Sequence, residues 1–182
     1  MKTNDMRKWM NKTGRKFLKD IGINIGQTVL DFGCGVGNYT IPVAVVVGER
    51  GTVYAVDKNK KSLDELMRRA EKEGLKNIKR IDVSEEIKVT LQNESVDVVL
   101  LYDIIHLVNN RKELLTEIYR VSKPKALISV YPKHHREHMN MELDDVKYEV
   151  ESAGFSFERE FYKILMHDNC LVKGYILNFL KK

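Results

Sequence analysis

The amino-acid sequence predicts an α/β fold in which helices connect the strands of an open, mostly parallel sheet. Short and nearly continuous runs of Val, Ile and Leu recur along the chain, as expected of strands that are covered on both faces. Between these runs, apolar residues recur at helical spacing. Strand and helix therefore alternate, which predicts right-handed crossovers between parallel strands.

Five strands are predicted before the C-terminal part, at 28–32, 52–57, 78–82, 96–103 and 126–131. The intervening helices carry start and stop signals. Ser62 and Glu65 form a capping box that opens one helix, and Gly74 ends it. Asn110 opens a second helix, and a third helix ends at Gly154.

The C-terminal part contains two further β-rich runs, Phe155–Leu165 and Cys170–Leu180. Only the short link His167-Asp168-Asn169 separates them, and adjacent strands with so tight a connection must be antiparallel. We therefore expect the sheet to finish with an antiparallel strand.

The composition fits a single domain over 1–182, with an N-terminal helical cap (1–22) and a core (27–182). Gly14 weakens the basic amphipathic pattern of the cap, so the sequence is compatible with one helix or with two short helices. The longest apolar runs contain proline or charged residues, which excludes a membrane span. The first ten residues lack the apolar segment of a secretory signal, and two cysteines favour a reducing cytoplasm.

A glycine-rich segment follows the first predicted strand, at the point where a first helix would begin. Asp31 stands near the end of that strand, and Gly33, Gly35 and Gly37 follow at alternate positions. Glycines at such a turn permit positive φ angles and a close approach of a ligand to the backbone. In an open α/β sheet, ligands bind outside the carboxyl ends of the strands.

The dinucleotide-binding pattern G-x-G-x-x-G fails in this segment. The third glycine would stand at Asn38 when the pattern starts at Gly33, and at Thr40 when it starts at Gly35. Asp31 would repel a pyrophosphate, whereas it would favour an amino group or a hydroxyl. The segment therefore favours a cofactor that carries a positive charge.

This segment resembles the first motif of the class I S-adenosylmethionine-dependent methyltransferases, and the similarity extends from about Val29 to the C-terminus. The resemblance implies a Rossmann-like, doubly wound seven-strand sheet, mostly parallel with an antiparallel C-terminal strand. It also implies S-adenosylmethionine as the cofactor. In one departure from the family, the stretch Lys123–Ala126 lacks the glycines that often precede the fifth strand.

The resemblance also assigns residues to the cofactor. Asp57, about 20 residues past the loop, matches the acid that binds the ribose hydroxyls, and a carboxylate can accept from both of them. Asp82 and Val83 match positions beside the adenine, and Tyr102 and Asp103 match the methionine and substrate side. The cofactor-binding residues implied in this way are Asp31, Gly33, Cys34, Gly35, Gly37, Asp57, Lys58, Asp82, Val83, Tyr102 and Asp103.

His106 is the first candidate for a catalytic base, although a histidine packed beside Ile105 and Leu107 fits the sequence equally well. Tyr131 and the histidines after the fifth strand are second candidates. His134, His135 and His138 form an H-H-x-x-H pattern, but no neighbouring Cys or paired acids complete a metal site, so no metal is expected.

The predicted activity is methyl transfer from S-adenosylmethionine to a small-molecule acceptor, by a monomer or a homodimer without a membrane partner. The alternatives are an RNA or protein methyltransferase, an NAD(P)-binding oxidoreductase on a similar fold, and a non-catalytic cofactor-binding protein. The net charge of +5 is mild, so a nucleic-acid partner is possible but not favoured.

Overall fold

The computed structural model describes residues 2–83, 87–132 and 141–182. Its central feature is a seven-stranded sheet in the order β3-β2-β1-β4-β5-β7-β6. The strands are β1 (Thr28–Phe32), β2 (Thr52–Asp57), β3 (Ile78–Asp82), β4 (Val96–Tyr102), β5 (Ser122–Tyr131), β6 (Phe155–His167) and β7 (Cys170–Lys181). The helices are α1 (Lys2–Lys8), α2 (Gly14–Asp20), α3 (Thr40–Val47), α4 (Lys60–Lys72), α5 (Arg111–Val121) and α6 (Leu143–Ser152).

The directions of the strands confirm the sequence prediction. Strands β1 to β5 form parallel pairs, whereas β7 is antiparallel to both β5 and β6. The first three strands begin and end where the apolar runs predict. Strand β5 begins earlier than predicted, at Ser122, because Ser122 pairs with Val96 before a register shift.

The connection between β6 and β7 is a two-residue turn, Asp168-Asn169, in which both residues have positive φ angles (47° and 63°). This is the geometry of a type I′ turn, whose twist matches that of the flanking strands. His167 therefore belongs to β6 and pairs with Cys170, instead of lying in the link as the sequence indicated.

Two helix starts test the predicted caps. Asn110 caps α5 as expected, because its side chain accepts a hydrogen bond from Glu113 N over 3.2 Å. The predicted capping box at Ser62 is wrong. Asn59 caps α4 instead, since its side chain accepts from the backbone N of Ser62, and the helix already begins at Lys60.

The sheet is doubly wound, with one apolar core on each face. On one face, residues of α2, α3 and α4 pack against alternate residues of the strands, such as Val29 and Leu100. On the other face, α5 and α6 pack against the intervening residues, such as Leu30 and Leu101. The two-residue period of a strand thus assigns neighbouring apolar side chains to opposite cores.

The N-terminal residues form one continuous helical segment, because a π-helical turn over Trp9–Thr13 joins α1 to α2. Gly14 does not break this segment, since its backbone is helical (φ −64°). Instead, Gly14 makes room for the indole ring, because a Cβ atom at this position would lie 2.8 Å from Trp9 Cε2. None of the described helices is long and apolar enough to cross a lipid bilayer.

Replacement of Trp9 tests how firmly the N-terminal helices are fixed to the sheet. The side chain is fully buried, packs edge-on against Tyr39, and donates from Nε1 to Asn38 O over 2.8 Å. We expect Trp9→Phe to lower the free energy of unfolding by ~1–3 kcal/mol, and Trp9→Ala by ~3–5 kcal/mol. Urea unfolding followed by circular dichroism measures both.

The control is Tyr148→Ala, because Tyr148 is 74% exposed on α6 and its loss should cost no more than ~0.5 kcal/mol. A Trp9→Ala variant as stable as this control would show that the N-terminal helices contribute little to the fold.

Candidate functional site

The strand order creates a crevice between the carboxyl ends of β1 and β4. These strands are neighbours, yet β1 continues to α3 on one face of the sheet and β4 continues to α5 on the other. The connections diverge at this point, which is the place where open α/β sheets bind ligands. The glycine loop (33–39) follows β1, and the segment 103–110 follows β4.

Backbone hydrogen bonds hold the glycine loop against the end of β2. The amide groups of Gly33 and Cys34 both donate to Val56 O, over 2.8 and 3.0 Å. The next amide, that of Gly35, donates to Asp57 Oδ2 over 2.7 Å. The loop therefore curls around the last residues of β2, and its position depends on that strand.

The three glycines of the loop have different roles, although all have positive φ angles. A Cβ atom at Gly33 would lie 2.7 Å from Ile104 Cγ1, and one at Gly37 would overlap Leu66 Cδ1. A side chain at either position would therefore displace a neighbour, Ile104 or the end of Leu66. A Cβ atom at Gly35 would have nothing within 4 Å, so this backbone faces open space.

The carboxylate of Asp57 is half-buried at the end of β2 and accepts one backbone hydrogen bond on each oxygen. Oδ2 accepts from Gly35 N, and Oδ1 accepts from Asn59 N over 2.8 Å. Each carboxylate oxygen has a second lone pair, so both can still accept from the hydroxyls of a ligand. The backbone contacts fix the orientation of the carboxylate before any ligand binds.

Asp31 is a buried carboxylate beneath the loop, with 3% of its surface exposed. Thr40 Oγ1 donates to its Oδ2 over 2.6 Å. Burial raises the pKa of Asp31 from 3.8 to about 6, and the charge of Asp57 adds to this effect, while the Thr40 bond opposes it. A positive charge placed nearby would reverse the cost of ionising this group.

Cys34 lies in the glycine loop after β1, and Lys58 directly follows β2; their side chains differ in exposure. Cys34 is buried, and desolvation raises the pKa of its thiol well above the ordinary value, so the thiolate that a nucleophile requires is disfavoured. Lys58 is exposed beside Asp57. Cys34 is therefore unsuited to act as a nucleophile, and it packs within the core on the first face of the sheet.

Asp82 stands beside Asp57 in the parallel register of β2 and β3. Both of its oxygens accept hydrogen bonds from Arg80, over 2.7 and 2.6 Å, and these bonds lower the pKa of the carboxyl group. An amine bound there would share the carboxylate with Arg80. Val83 is half-buried and packs against the second core.

The other side of the crevice is aromatic. Tyr102 is buried at the end of β4, and its hydroxyl group shares a 2.8 Å hydrogen bond with Ser129 Oγ. Its ring packs edge-on against Tyr39 of the glycine loop at 4.7 Å between centroids. Tyr102 thus contributes the side of its ring to this region, while its hydroxyl group is engaged within the sheet.

Asp103 follows Tyr102 in a left-handed backbone conformation (φ 60°), and its N donates to Tyr131 O over 2.9 Å. Its Oδ2 atom contacts Nδ1 of His167, the last residue of β6. His106 lies half-buried in a single helical turn, Ile105–Leu107. The predicted histidine cluster at 134, 135 and 138 lies outside the described residues.

Sequence reasoning missed His167, although a signal was available. Strand β6 runs in the same direction as β5, because both are antiparallel to β7. The end of β6 therefore reaches the edge of the sheet where the carboxyl ends of the parallel strands meet. A histidine at the end of the penultimate strand is for this reason a candidate site residue.

Comparisons with known proteins agree with this architecture. A family model described as a methyltransferase domain matches residues 23–169. A demethylmenaquinone methyltransferase of Lactobacillus johnsonii is 29% identical over 116 residues, which are 64% of this chain and 48% of that protein. A sterol 24-C-methyltransferase of Gibberella zeae is 31% identical over 111 residues, 61% of this chain and 29% of that protein. The chain thus spans half or less of the length of these relatives.

A solved structure shows the same fold over the full length of the chain. It is a SAM dependent methyltransferase from Aquifex aeolicus, with a TM-score of 0.82 and 24% sequence identity. The superposition covers 100% of this chain and 99% of that protein. The seven-strand arrangement with antiparallel C-terminal strands is therefore one that other proteins share.

Substitution of the loop glycines separates packing from binding. We expect Gly37→Ala to lower the free energy of unfolding by about 1–3 kcal/mol, because its methyl group meets Leu66. Gly35→Ala should cost only about 1 kcal/mol, from the positive φ angle of its backbone. Its methyl group would enter the open space over the loop, so it should weaken binding of S-adenosylhomocysteine, the product left when S-adenosylmethionine gives up its methyl group, at least tenfold. Denaturant unfolding and calorimetry measure the two effects, and undiminished binding by Gly35→Ala would exclude a ligand over this residue.

Replacement of Asp31 by Asn tests the buried charge. The folded protein holds the Asp31 proton up to about pH 6, whereas the unfolded chain loses it near 3.8. Between these values the folded state binds more protons, so the contribution of Asp31 to the free energy of unfolding falls as pH rises. Asp31→Asn should therefore be more stable than the parent at pH 7 by up to roughly 3 kcal/mol.

Urea unfolding of both proteins between pH 4 and pH 7 provides the measurement. The two proteins should differ least at pH 4, and the difference should grow up to pH 6. If the free energies of unfolding of the two proteins changed with pH in the same way, Asp31 would ionise in the folded protein as it does in water.

Proposed function

We propose that this chain, which belongs to the methyltransferase-domain family, transfers the methyl group of S-adenosylmethionine to a small-molecule acceptor. The observation that carries this proposal is the oriented carboxylate of Asp57 next to the open backbone of Gly35. Together they offer two acceptor oxygens beside a surface that a ligand can approach closely. A nucleoside fits this arrangement, because its two ribose hydroxyl groups can donate to the two oxygens.

The charges of the site support a cationic cofactor. Asp31 is buried beneath the loop, where ionisation costs free energy because little solvent stabilises the charge. A sulfonium or ammonium group near it would offset that cost. The dinucleotide alternative lacks such support, because the loop would place a pyrophosphate beside the buried carboxylate of Asp31. We assign Asp82 and Val83 to the adenine side and Tyr102 to the methionine side of the same proposed site.

S-adenosylmethionine supplies, when bound, a methyl group that is already activated by a positively charged sulfur. The protein then has to position the acceptor and exclude water, and positioning of this kind can contribute ~7–11 kcal/mol to lowering a barrier. The β6–β7 turn lies against the glycine loop, since Asn38 Nδ2 donates to Asn169 Oδ1 over 3.3 Å, and we assign it to the cover of the proposed site. Asp5 of α1 accepts from Leu171 N at 3.4 Å, so the N-terminal helix also reaches the start of β7.

The names of the relatives support a small acceptor. One is named for demethylmenaquinone and another for a sterol. The region around Tyr102 and Tyr39 is largely apolar and aromatic, which suits an acceptor with an apolar body. Turnover of labelled S-adenosylmethionine against a panel of quinols, phenols and other small metabolites tests the proposal. RNA and protein acceptors in the same panel test the alternative macromolecular substrates.

Asp57→Ala should weaken binding of S-adenosylhomocysteine by about 10- to 100-fold, because charge-assisted hydrogen bonds of ~1.5–3 kcal/mol are lost. Isothermal calorimetry measures the affinity, and a parallel titration with NADH tests the oxidoreductase alternative. Asp144→Ala on α6 is the matched control, since its side chain is 96% exposed on the other face of the sheet. Equal affinity of both variants would remove Asp57 from the site.

A further inference from the structure

We infer that the outward side of the N-terminal helical segment docks on the surface of a membrane that contains anionic lipids. This side, here called the cationic face, consists of five exposed side chains, Arg7, Lys8, Lys12, Lys16 and Lys19. The inference goes beyond the proposed function, but the choice of a membrane over a nucleic acid rests in part on the apolar acceptor proposed there.

The net charge of the chain is concentrated in this segment. The chain has 31 Lys and Arg and 26 Asp and Glu, and its first twenty residues hold seven of the former and two of the latter. The other residues therefore have 24 charges of each sign and are neutral in sum, so the whole excess of +5 lies in the segment. Charge placed in this way attracts an anionic surface to one side of the molecule.

The structure turns these charges outward. Trp9 and Phe17 are buried in the core on the first face of the sheet, and they fix the segment to the rest of the protein. Lys8, Lys12 and Lys16 are exposed and stand four residues apart, a spacing that puts side chains on the same side of a helix. The segment is therefore apolar toward the core and cationic toward the solvent.

The charges of the cationic face are not neutralised within the described part of the chain. Among the described residues, none of its five side chains forms an ion pair or a hydrogen bond. The two acids of the segment are engaged elsewhere. Asp5 accepts from Leu171 N, and Asp20 pairs with Lys163 Nζ over 3.0 Å. All five positive charges are thus available to a partner.

The composition of the cationic face favours lipid headgroups over nucleic acid. Four of its five residues are lysines, whose ammonium groups are point charges without the bidentate geometry of arginine. No aromatic side chain between residues 4 and 20 is exposed for base stacking, because Trp9 and Phe17 are buried. Helices with four to eight Lys and Arg on one side are attracted to anionic lipids by electrostatics alone.

The surroundings of the glycine loop also favour a membrane. A nucleic-acid acceptor needs a positively charged path from the cationic face to the candidate site. The chain beyond the segment is neutral in sum, and the carboxylates at the loop, Asp31 and Asp57, would not attract a phosphate backbone. An acceptor with an apolar body needs no such path, because the hydrophobic effect concentrates it in the bilayer.

The helix that carries the cationic face touches the glycine loop directly. Trp9 Nε1 donates to Asn38 O over 2.8 Å. Arg69 of α4 donates to Val36 O of the loop and also contacts Met10 Sδ at 3.9 Å. Docking of the helix would therefore hold the loop close to the headgroups, where an acceptor with an apolar body leaves the bilayer.

This contact differs from the membrane span that the sequence excludes. The prediction of no membrane partner rests on the lack of a long apolar segment, and none of the described helices could cross a bilayer. A surface contact needs no such helix. The apolar side of the segment stays in the core of the protein, and only its charged side meets the headgroups.

The test is sedimentation of the full chain with vesicles. One preparation is phosphatidylcholine alone, and the other contains roughly one third phosphatidylglycerol. At about 0.15 M salt we expect binding to the anionic vesicles only, and loss of binding at about 0.5 M salt because the charges are screened. Lys8→Gln, Lys12→Gln and Lys16→Gln combined should weaken binding about 100-fold, since each lysine near an anionic surface contributes about fivefold.

The matched control combines Lys72→Gln, Lys76→Gln and Lys112→Gln. It removes the same charge from exposed lysines outside the segment, so it should bind the anionic vesicles within about threefold of the parent. Circular dichroism should show both triple variants folded, because all six lysine side chains are exposed. An equal loss of binding by the two triple variants would overturn the inference, because only the net charge would then matter.

Other outcomes would overturn the inference as well. These are no binding to the anionic vesicles at about 0.15 M salt, or equal binding to the neutral vesicles. Tighter binding of an RNA hairpin than of the anionic vesicles, lost in the cationic-face variant, would assign the face to a nucleic acid instead. Failure of the parent to bind S-adenosylhomocysteine would contradict the proposed function, while the vesicle measurement would still decide the docking.

Discussion

The carboxylate of Asp57 is the interaction on which the proposed site depends. One oxygen accepts from the glycine loop at Gly35, and the other accepts from Asn59, whose own side chain caps α4. A single side chain at the end of β2 therefore positions the loop after β1 and the first turn of α4. The backbone of Gly35 faces open space while hydrogen bonds to Val56 O and Asp57 Oδ2 hold the loop at the end of β2.

The cover of the site depends on contacts between distant parts of the chain. Trp9 fixes the N-terminal helices to the loop at Asn38, while the β6–β7 hairpin reaches the same loop through Tyr39. Rings from these segments pack on one another beside β4, with Tyr39 and Tyr102 in edge-to-face contact. The aromatic packing joins the N-terminal and C-terminal segments around one edge of the sheet.

The buried carboxylate of Asp31 lowers the stability of the folded protein at neutral pH. Its position within the first core raises its pKa to about 6, so at neutral pH the folded chain carries a carboxylate that water would have stabilised better. Such a group lowers stability unless a ligand supplies a positive charge. The proposed sulfonium cofactor would therefore bind more tightly because the free site is electrostatically unsatisfied.

The sequence by itself determined the positions of the strands and of the glycine loop. The strands could be located because a strand buried on both faces needs a nearly unbroken apolar run, as in 28–32 and 96–102. The antiparallel end of the sheet could be predicted because a link as short as 168–169 permits no crossover. These features follow from residues that are close together in the chain.

Only the tertiary structure decided which residues meet. Three glycines look alike in sequence, but Ile104 and Leu66 restrict Gly33 and Gly37, while Gly35 faces open space. The pairing of Asp103 with His167 joins residues from β4 and β6, which no local pattern relates. Such contacts depend on strand order and register, and these are set by the packing of the whole sheet between its two helical layers.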